Sequence, residues 1–390
     1  MKYKISDVFD LQMGKTPDRN KAEYWNDGTE PWISIADMSK ADIYIGSTKE
    51  CISNLAVENS GIKIIPRNTV IMSFKLSIGK VAITERDMYS NEAIMAFIDK
   101  GVVRIIPEYL YYSLLSKDWN EGTNKAVMGK TLNKATLSQM KIVIHGFDEQ
   151  RMITDKLHRL GDVIAQRRKQ LEFLDTLIKA RFVEMFGDPV VNSLCLSSMS
   201  MTELCEIIDG DRGKNYPKQE EFFAEGDCLF LNAKNVTSNG FVFKDCSFIT
   251  KEKDRLLNKG KLKRGDVVLT TRGTIGNLAF YGNDVPYENV RINSGMVILR
   301  MNHSLLSEIF FIEQFRIQLQ DIKTKIASGS AQPQLPISAM KNIKMVIAPL
   351  TLQEQFAAFV FEVDKSKAVV QKALDEAQLL FDSLMQKYFG

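Results

Sequence analysis

Groups that carry chemistry are scarce in this sequence. It has only three histidines, His145, His158 and His303, and five cysteines, Cys51, Cys195, Cys205, Cys228 and Cys246. The cysteines are odd in number, scattered, and include no C-x-x-C pair, which argues against a disulfide framework and against a thiolate zinc site. The histidines lie too far apart to suggest a metal site between them. No apolar run approaches the roughly 18 residues that a membrane span requires. The opening residues Met1-Lys2-Tyr3-Lys4-Ile5-Ser6-Asp7 lead into no apolar stretch of the kind a secretory signal carries. A cytoplasmic location, away from membranes, is the expectation.

Enzyme signatures are missing as well. Gly129-Lys130-Thr131 and Gly14-Lys15-Thr16 look like the end of a P-loop, but the glycine that must stand five residues earlier is Asn124 or Phe9 instead. Gly273-Thr274-Ile275-Gly276 lacks the spacing of a dinucleotide fingerprint. The lone Asp188-Pro189 is followed by Val190 rather than by the Pro-aromatic pair expected of an amino-methyltransferase loop. No H-E-x-x-H or G-x-S-x-G occurs. The residues point to a recogniser rather than a catalyst.

What the chain does have is an internal repeat. Its 390 residues, 45% hydrophobic and 25% charged, suit two or three folded domains. The stretch from Arg67 to Ala82 matches that from Arg264 to Ala279 without a gap. Trp32-Ile33-Ser34 is answered by Phe230-Leu231-Asn232, and Asn91-Glu92-Ala93-Ile94 by Asn293-Ser294-Gly295-Met296. Gly14-Lys15-Thr16-Pro17 reads against Gly213-Lys214-Asn215-Tyr216-Pro217, and Met128 to Thr131 against Ser328 to Ala331. Glu149-Gln150 pairs with Glu354-Gln355, and both halves close on Phe-Gly, at Phe186-Gly187 and Phe389-Gly390.

Within each half the first part reads as short strands and turns. Val70 to Phe74 and Val267 to Thr270 are β-favouring runs, and Gly79 and Gly276 close turns that need positive φ. A helix is predicted from Pro107, with Leu305 to Ile326 as its counterpart. Trp32 and Phe230 sit at matched strand positions and are assigned to the core. The second part of each half is a heptad helix. Leu157, Ile164, Leu171, Ile178 and Met185 form one column, and Ile153, Leu160 and Leu174 the other, with Arg167 and Arg181 interrupting it. The later copy offers Phe356, Val363, Val370, Ala377 and Leu384, with Phe359, Ala373 and Leu380. Each helix would be on the order of 55 Å long. One helix alone cannot bury such a stripe, so the two are expected to pair antiparallel, placing the globular modules at opposite ends of a rod. The expected architecture is α+β: modules at 1–147 and 189–350 alternating with long helices at 148–188 and 351–390.

The run Leu177 to Pro189 resembles the end of the central helix in specificity subunits of type I restriction–modification enzymes. Ser383 to Gly390 is similar to their C-terminal ending, and Glu149-Gln150-Arg151 and Gln353-Glu354-Gln355 resemble their helix starts. The resemblance implies that each module reads one half of a bipartite double-stranded DNA site and that the helices fix the spacer. It also implies docking of two methyltransferase and two restriction/translocase subunits. S-adenosylmethionine, ATP and Mg²⁺ are expected in those partners, and no cofactor or metal in this chain. A net charge of +3 is compatible with DNA but does not demand it.

Phosphate contacts favour Lys, Arg, hydroxyls and Gly-rich backbone, which the duplicated loops supply. The N-terminal module offers Lys15, Thr16, Lys75, Ser77, Lys130 and Thr131. The C-terminal module offers Arg212, Lys214, Arg272, Thr274, Ser330 and Gln332, with Arg272 and Gln332 as candidates to reach base edges. Two alternatives stay open at this point: a non-catalytic scaffold or antirestriction decoy built on the helices, and a DNA methyltransferase or nuclease with unfamiliar motifs.

Overall fold

A computed structural model describes residues 1–75, 77–119, 132–325 and 334–390 in full, and the backbone alone of 124–126, 129–131, 326 and 327. Two compact units result, one of residues 1–168 and 372–390, the other of residues 169–371. Each contains one module, the beginning of one long helix and the end of the other.

In the first unit a five-stranded sheet runs in the order Phe9–Met13, Ile94–Asp99, Val70–Ser73, Val81–Thr84, Tyr44–Ile45, antiparallel except for its last pair. A three-stranded sheet sets Glu30–Ile33 between Glu50–Ile52 and Tyr89–Ser90. The second unit repeats the plan with Cys205–Asp209, Met296–Met301, Val267–Thr270 and Leu278–Phe280, beside a three-stranded sheet centred on Cys228–Leu231. The β-branched runs Val70–Ser73 and Val267–Thr270 are buried at every position, as central strands covered on both faces must be. Each module is closed by pairing its first strand with its last, Lys2–Lys4 with Lys141–Val143 and Ser198–Ser200 with Lys344–Val346. The predicted module helices are Pro107–Leu115, with Pro in the first turn, and Glu308–Ala327. Trp32 and Phe230 are buried, as expected of core positions.

The long helices span Phe147–Phe186 and Leu350–Phe389. In the second unit they run in opposite directions: Asp175 takes an ion pair from Lys367 at 2.6 Å, and further up the first helix Phe182 meets Phe356, lower in the second, at 5.4 Å between ring centres. In the first unit Arg168 donates to Gln378 at 3.4 Å, while Ile153 and Leu157 share a core with Met385 and Phe389. Antiparallel pairing is therefore present in both. Ile164, Ile178, Val363 and Ala377 are buried on the seam as the heptads require.

One heptad position fails. Leu380 is 51% exposed, and Phe381, Met385 and Phe389 turn inward instead. An α-helix of 3.6 residues per turn drifts from a strict repeat of seven, and here the contact face passes to the neighbouring column where the helix leaves its partner for the module.

Two of the matched blocks also need correction. Gln150 corresponds to Gln353, not to Gln355. Each is buried, accepts one backbone N–H (Ile106 at 3.0 Å, Ser307 at 2.8 Å) and donates to two carbonyls, Arg104 and His145 in one case and Leu305 and Ala348 in the other. Gly14 corresponds to Gly210, not to Gly213, because these two glycines pack against the same turn. The block from Met128 to Thr131 and its counterpart from Ser328 to Ala331 lie outside the described side chains.

Candidate nucleic-acid interface

An Asx turn lies at the centre of the candidate surface in each module. The Asn91 side chain accepts from the Ala93 N–H at 3.0 Å, and Asn293 accepts from Gly295 at 2.9 Å. A Cβ on Gly14 would stand 2.2 Å from the Asn91 carbonyl oxygen, and one on Gly210 would stand 2.1 Å from that of Asn293. Only glycine lets the chain pass there. On the far side Phe74 donates its N–H to Ala93, and Thr271 donates to Gly295 at 2.8 Å.

The adjoining loops match atom for atom. The Ser73 hydroxyl donates to the Ser77 carbonyl and accepts from the Lys80 N–H at 3.0 Å. Thr270 does the same with Thr274 and with Asn277 at 2.9 Å. Gly79 and Gly276 close these loops at φ 88° and 81°, the positive values their positions demand.

In the N-terminal module the turn gathers three of the predicted residues. Lys15 is exposed, with its N–H bonded to the Ser90 carbonyl at 2.8 Å and its own carbonyl receiving the Trp32 indole N–H at 3.1 Å. The Thr16 hydroxyl donates to the Glu92 carboxylate. That bond, helped by the charges of Lys75 and Arg19 and opposed by partial burial, holds the Glu92 carboxyl below the usual carboxylate range. The Lys75 ammonium lies 5.3 Å from the Phe74 ring centre. Ser77 is exposed on the adjoining loop and not at the turn itself. The side chains of Lys130 and Thr131 are not among those described; their backbone forms the strand Gly129–Thr131, and after it the Leu132 N–H meets the Phe74 carbonyl at 3.1 Å.

In the C-terminal module Arg212 and Arg272 flank the equivalent turn. Arg212 donates to the Ser294 carbonyl and to Asp209, both at 3.1 Å. The Arg272 side chain starts 3.9 Å from where a Gly295 Cβ would be. Thr274 is exposed on the loop, and Lys214 is exposed on a segment that Asn215 ties to the Leu256 carbonyl. Ser330 and Gln332 lie outside the described residues. Leu335, beyond them, bonds the Thr271 carbonyl at 3.0 Å.

The sequence reading missed Glu92 and Arg19. Arg19 forks onto Glu50 at 2.6 and 3.0 Å, with its guanidinium 3.6 Å from the Trp25 ring centre. Its place beside Trp25 and Trp32, six and thirteen residues further along the chain, is a product of the fold. Arg291, by contrast, is 5% exposed and spends its donors on Asp254 and on the Lys259, Asp254 and Leu257 carbonyls, so it is structural. Among the described residues no group of three or more His, Cys, Asp or Glu is placed to hold a metal ion, and no helix is long and apolar enough to cross a membrane.

Two modules with one framework, bearing different charged groups at the same turn and joined through paired helices, define a duplicated recognition protein. The chain belongs to the type I restriction–modification DNA specificity domain family, whose model matches residues 1–173 and 197–378. It is 26% identical to the MjaIX type I restriction enzyme specificity subunit of Methanocaldococcus jannaschii over 410 residues, covering 98% of this chain and 91% of the relative. It is 28% identical over 185 residues to the EcoR124I/EcoR124II specificity subunit of Escherichia coli, covering 42% of this chain and 44% of that one. The fold matches the S subunit of a type I restriction–modification system from M. genitalium with a TM-score of 0.54 at 16% identity, over 100% of this chain and 96% of the other.

Proposed function

We propose that this chain is the DNA-specificity subunit of a type I restriction–modification enzyme, reading an asymmetric bipartite site in double-stranded DNA. The observation that carries this reading is the duplicated turn: the same Asx bond and the same adjoining backbone bond in both modules, with Thr16, Glu92 and Lys75 around one and Arg212 and Arg272 around the other. A repeated framework with divergent polar side chains suits two readers of two different half-sites. Carrying both on one chain makes the second contact effectively intramolecular.

In this reading the chain recognises and does not catalyse, and it works in the cytoplasm. Two methyltransferase subunits and two restriction/translocase subunits assemble on it, and they bind S-adenosylmethionine, ATP and Mg²⁺. The family membership supports this division of labour.

The test is footprinting of the full-length chain with its methyltransferase partner on DNA fragments. The expected result is protection of a two-part site whose affinity falls steeply with salt, as phosphate contacts require. Equal binding to every fragment would sink the proposal. Mapping methylated bases in the host genome supplies the half-sites independently. Methyl transfer by the isolated chain would favour an enzyme instead.

A further inference from the structure

The two modules set groups of opposite charge beside their shared turn, at different positions of it. In the N-terminal module the residue after Asn91 is Glu92, exposed and gripped by Thr16. In the C-terminal module the same place is Ser294, whose carbonyl accepts from Arg212 at 3.1 Å. Thr16 and Arg212 stand at the same remove from the matched glycines Gly14 and Gly210. One module therefore presents a hydroxyl-braced carboxylate beside the turn, and the other a guanidinium.

A carboxylate offers acceptors only and is repelled by phosphate. Set within reach of the charges of Lys75 and Arg19, Glu92 weakens the attraction of this face for a DNA backbone, so its place there needs another reason. The base-edge groups it suits are exocyclic amino donors, cytosine N4 or adenine N6. Arginine offers donors only and suits guanine O6 and N7. Arg212 donates to both Asp209 and the Ser294 carbonyl through one nitrogen, Nη2.

Resting on the specificity reading above, we infer that Glu92 is the side chain through which the N-terminal module selects an amino-bearing base, and that Arg212 at the equivalent turn selects guanine in the other half-site. Thr16 is a positioning residue, fixing which way the carboxylate faces.

The test offers a randomised duplex library to the full-length chain assembled with its methyltransferase partner. Sequences enriched by the wild type are compared with those enriched by Glu92→Ala, Glu92→Gln, Thr16→Val and Arg212→Ala. Glu92→Ala is expected to reduce the preference at one position of one half-site by roughly tenfold, the scale of a direct base contact, and to leave the other half-site unchanged. Glu92→Gln keeps the acceptor and adds a donor, so preference shifts toward adenine. Thr16→Val loosens the same position by less, and Arg212→Ala acts only on the opposite half-site. Unchanged half-sites in both Glu92 variants overturn the inference, and so does an equal loss at both half-sites. If the wild type enriches no bipartite site, the specificity reading itself falls.

Discussion

Gln353 fastens the second long helix to its module, and replacing it with glutamate tests the joint. The side chain is fully buried, accepts from the Ser307 N–H at 2.8 Å, and donates to the Leu305 and Ala348 carbonyls at 3.0 and 2.8 Å. Gln353→Glu keeps the length but sets a carboxylate oxygen against two carbonyls that have lost their donor. The folded protein escapes that repulsion by keeping the introduced carboxyl protonated, which at pH 7 costs about 3.7 kcal/mol for a group whose ordinary pKa is about 4.3. The neutral acid has one donor where the amide had two, so one carbonyl stays unpaired, for about 1 kcal/mol more. The total is about 5 kcal/mol at pH 7 and about 2 kcal/mol at pH 5. The sign follows from linkage: the folded pKa is raised above the unfolded one, so stability present at low pH is lost as pH rises toward the folded value. Urea unfolding of wild type and variant between pH 5 and 7 reads the difference directly. A gap that is the same at both ends of that range would refute the reasoning, as would one below about 1 kcal/mol at pH 7. Gln150→Glu should repeat the behaviour in the N-terminal module, where the partners are Ile106, Arg104 and His145.

Three further outcomes are expected. Asp254 is buried, which pushes its carboxyl pKa up, but bonds from Lys261 and Arg291 outweigh that and leave it below the ordinary value. Asp254→Asn strands the buried Arg291 and should cost about 3–5 kcal/mol near neutral pH. A depressed folded pKa means this contribution is present above the unfolded value and fades as pH falls below about 4, which thermal unfolding against pH will show. Gly14→Ala and Gly210→Ala drive a methyl group into the carbonyls of Asn91 and Asn293 and should each lose about 1–3 kcal/mol, whereas Gly146→Ala, with nothing within 4 Å, is a near-neutral control in the same melting assay. Phe186 has ring neighbours at 5.0, 4.8 and 5.6 Å, while Phe389 has Tyr109 at 5.2 Å. Phe186→Ala should therefore destabilise by about 4–5 kcal/mol and Phe389→Ala by about 3 kcal/mol in urea titrations.

The heptad columns were legible because one repeating contact writes itself into the sequence every seventh residue. They misled only at Leu380, where the helix changes partner and local periodicity no longer governs. The strands Val70–Ser73 and Val267–Thr270 were equally legible, being apolar runs closed by glycines with positive φ. The buried glutamines were read as part of a helix-start motif, because their role depends on backbone groups such as Ile106 and Ser307 that no short-range pattern reveals. The candidate surface was half legible. Cations on repeated loops can be listed from sequence, but that Thr16 and Lys75 meet Glu92 at one turn, and Arg212 and Arg272 flank its counterpart, is a property of the folded chain. Glu92 escaped notice because a search for phosphate contacts looks past acids.

The misplaced glycine explains why the readers diverged while the frame did not. Matching Gly14-Lys15 to Gly213-Lys214 maximises identity, yet only Gly14 and Gly210 lie where a Cβ would strike the turn. With the register set by that contact, the lysine after Gly14 corresponds in sequence to Asp211, and Thr16 corresponds to Arg212. Asp211 spends its carboxylate on the Gly213 and Asn258 N–H groups, at 2.8 and 2.7 Å, so it shapes the loop rather than meeting a ligand. Selection for packing acts on the glycine and the Asx turn, where a single methyl is costly. It does not reach the exposed side chains one or two residues further on. Those positions are free to change charge without unfolding the module, which is what two readers of unlike half-sites need from a duplicated scaffold.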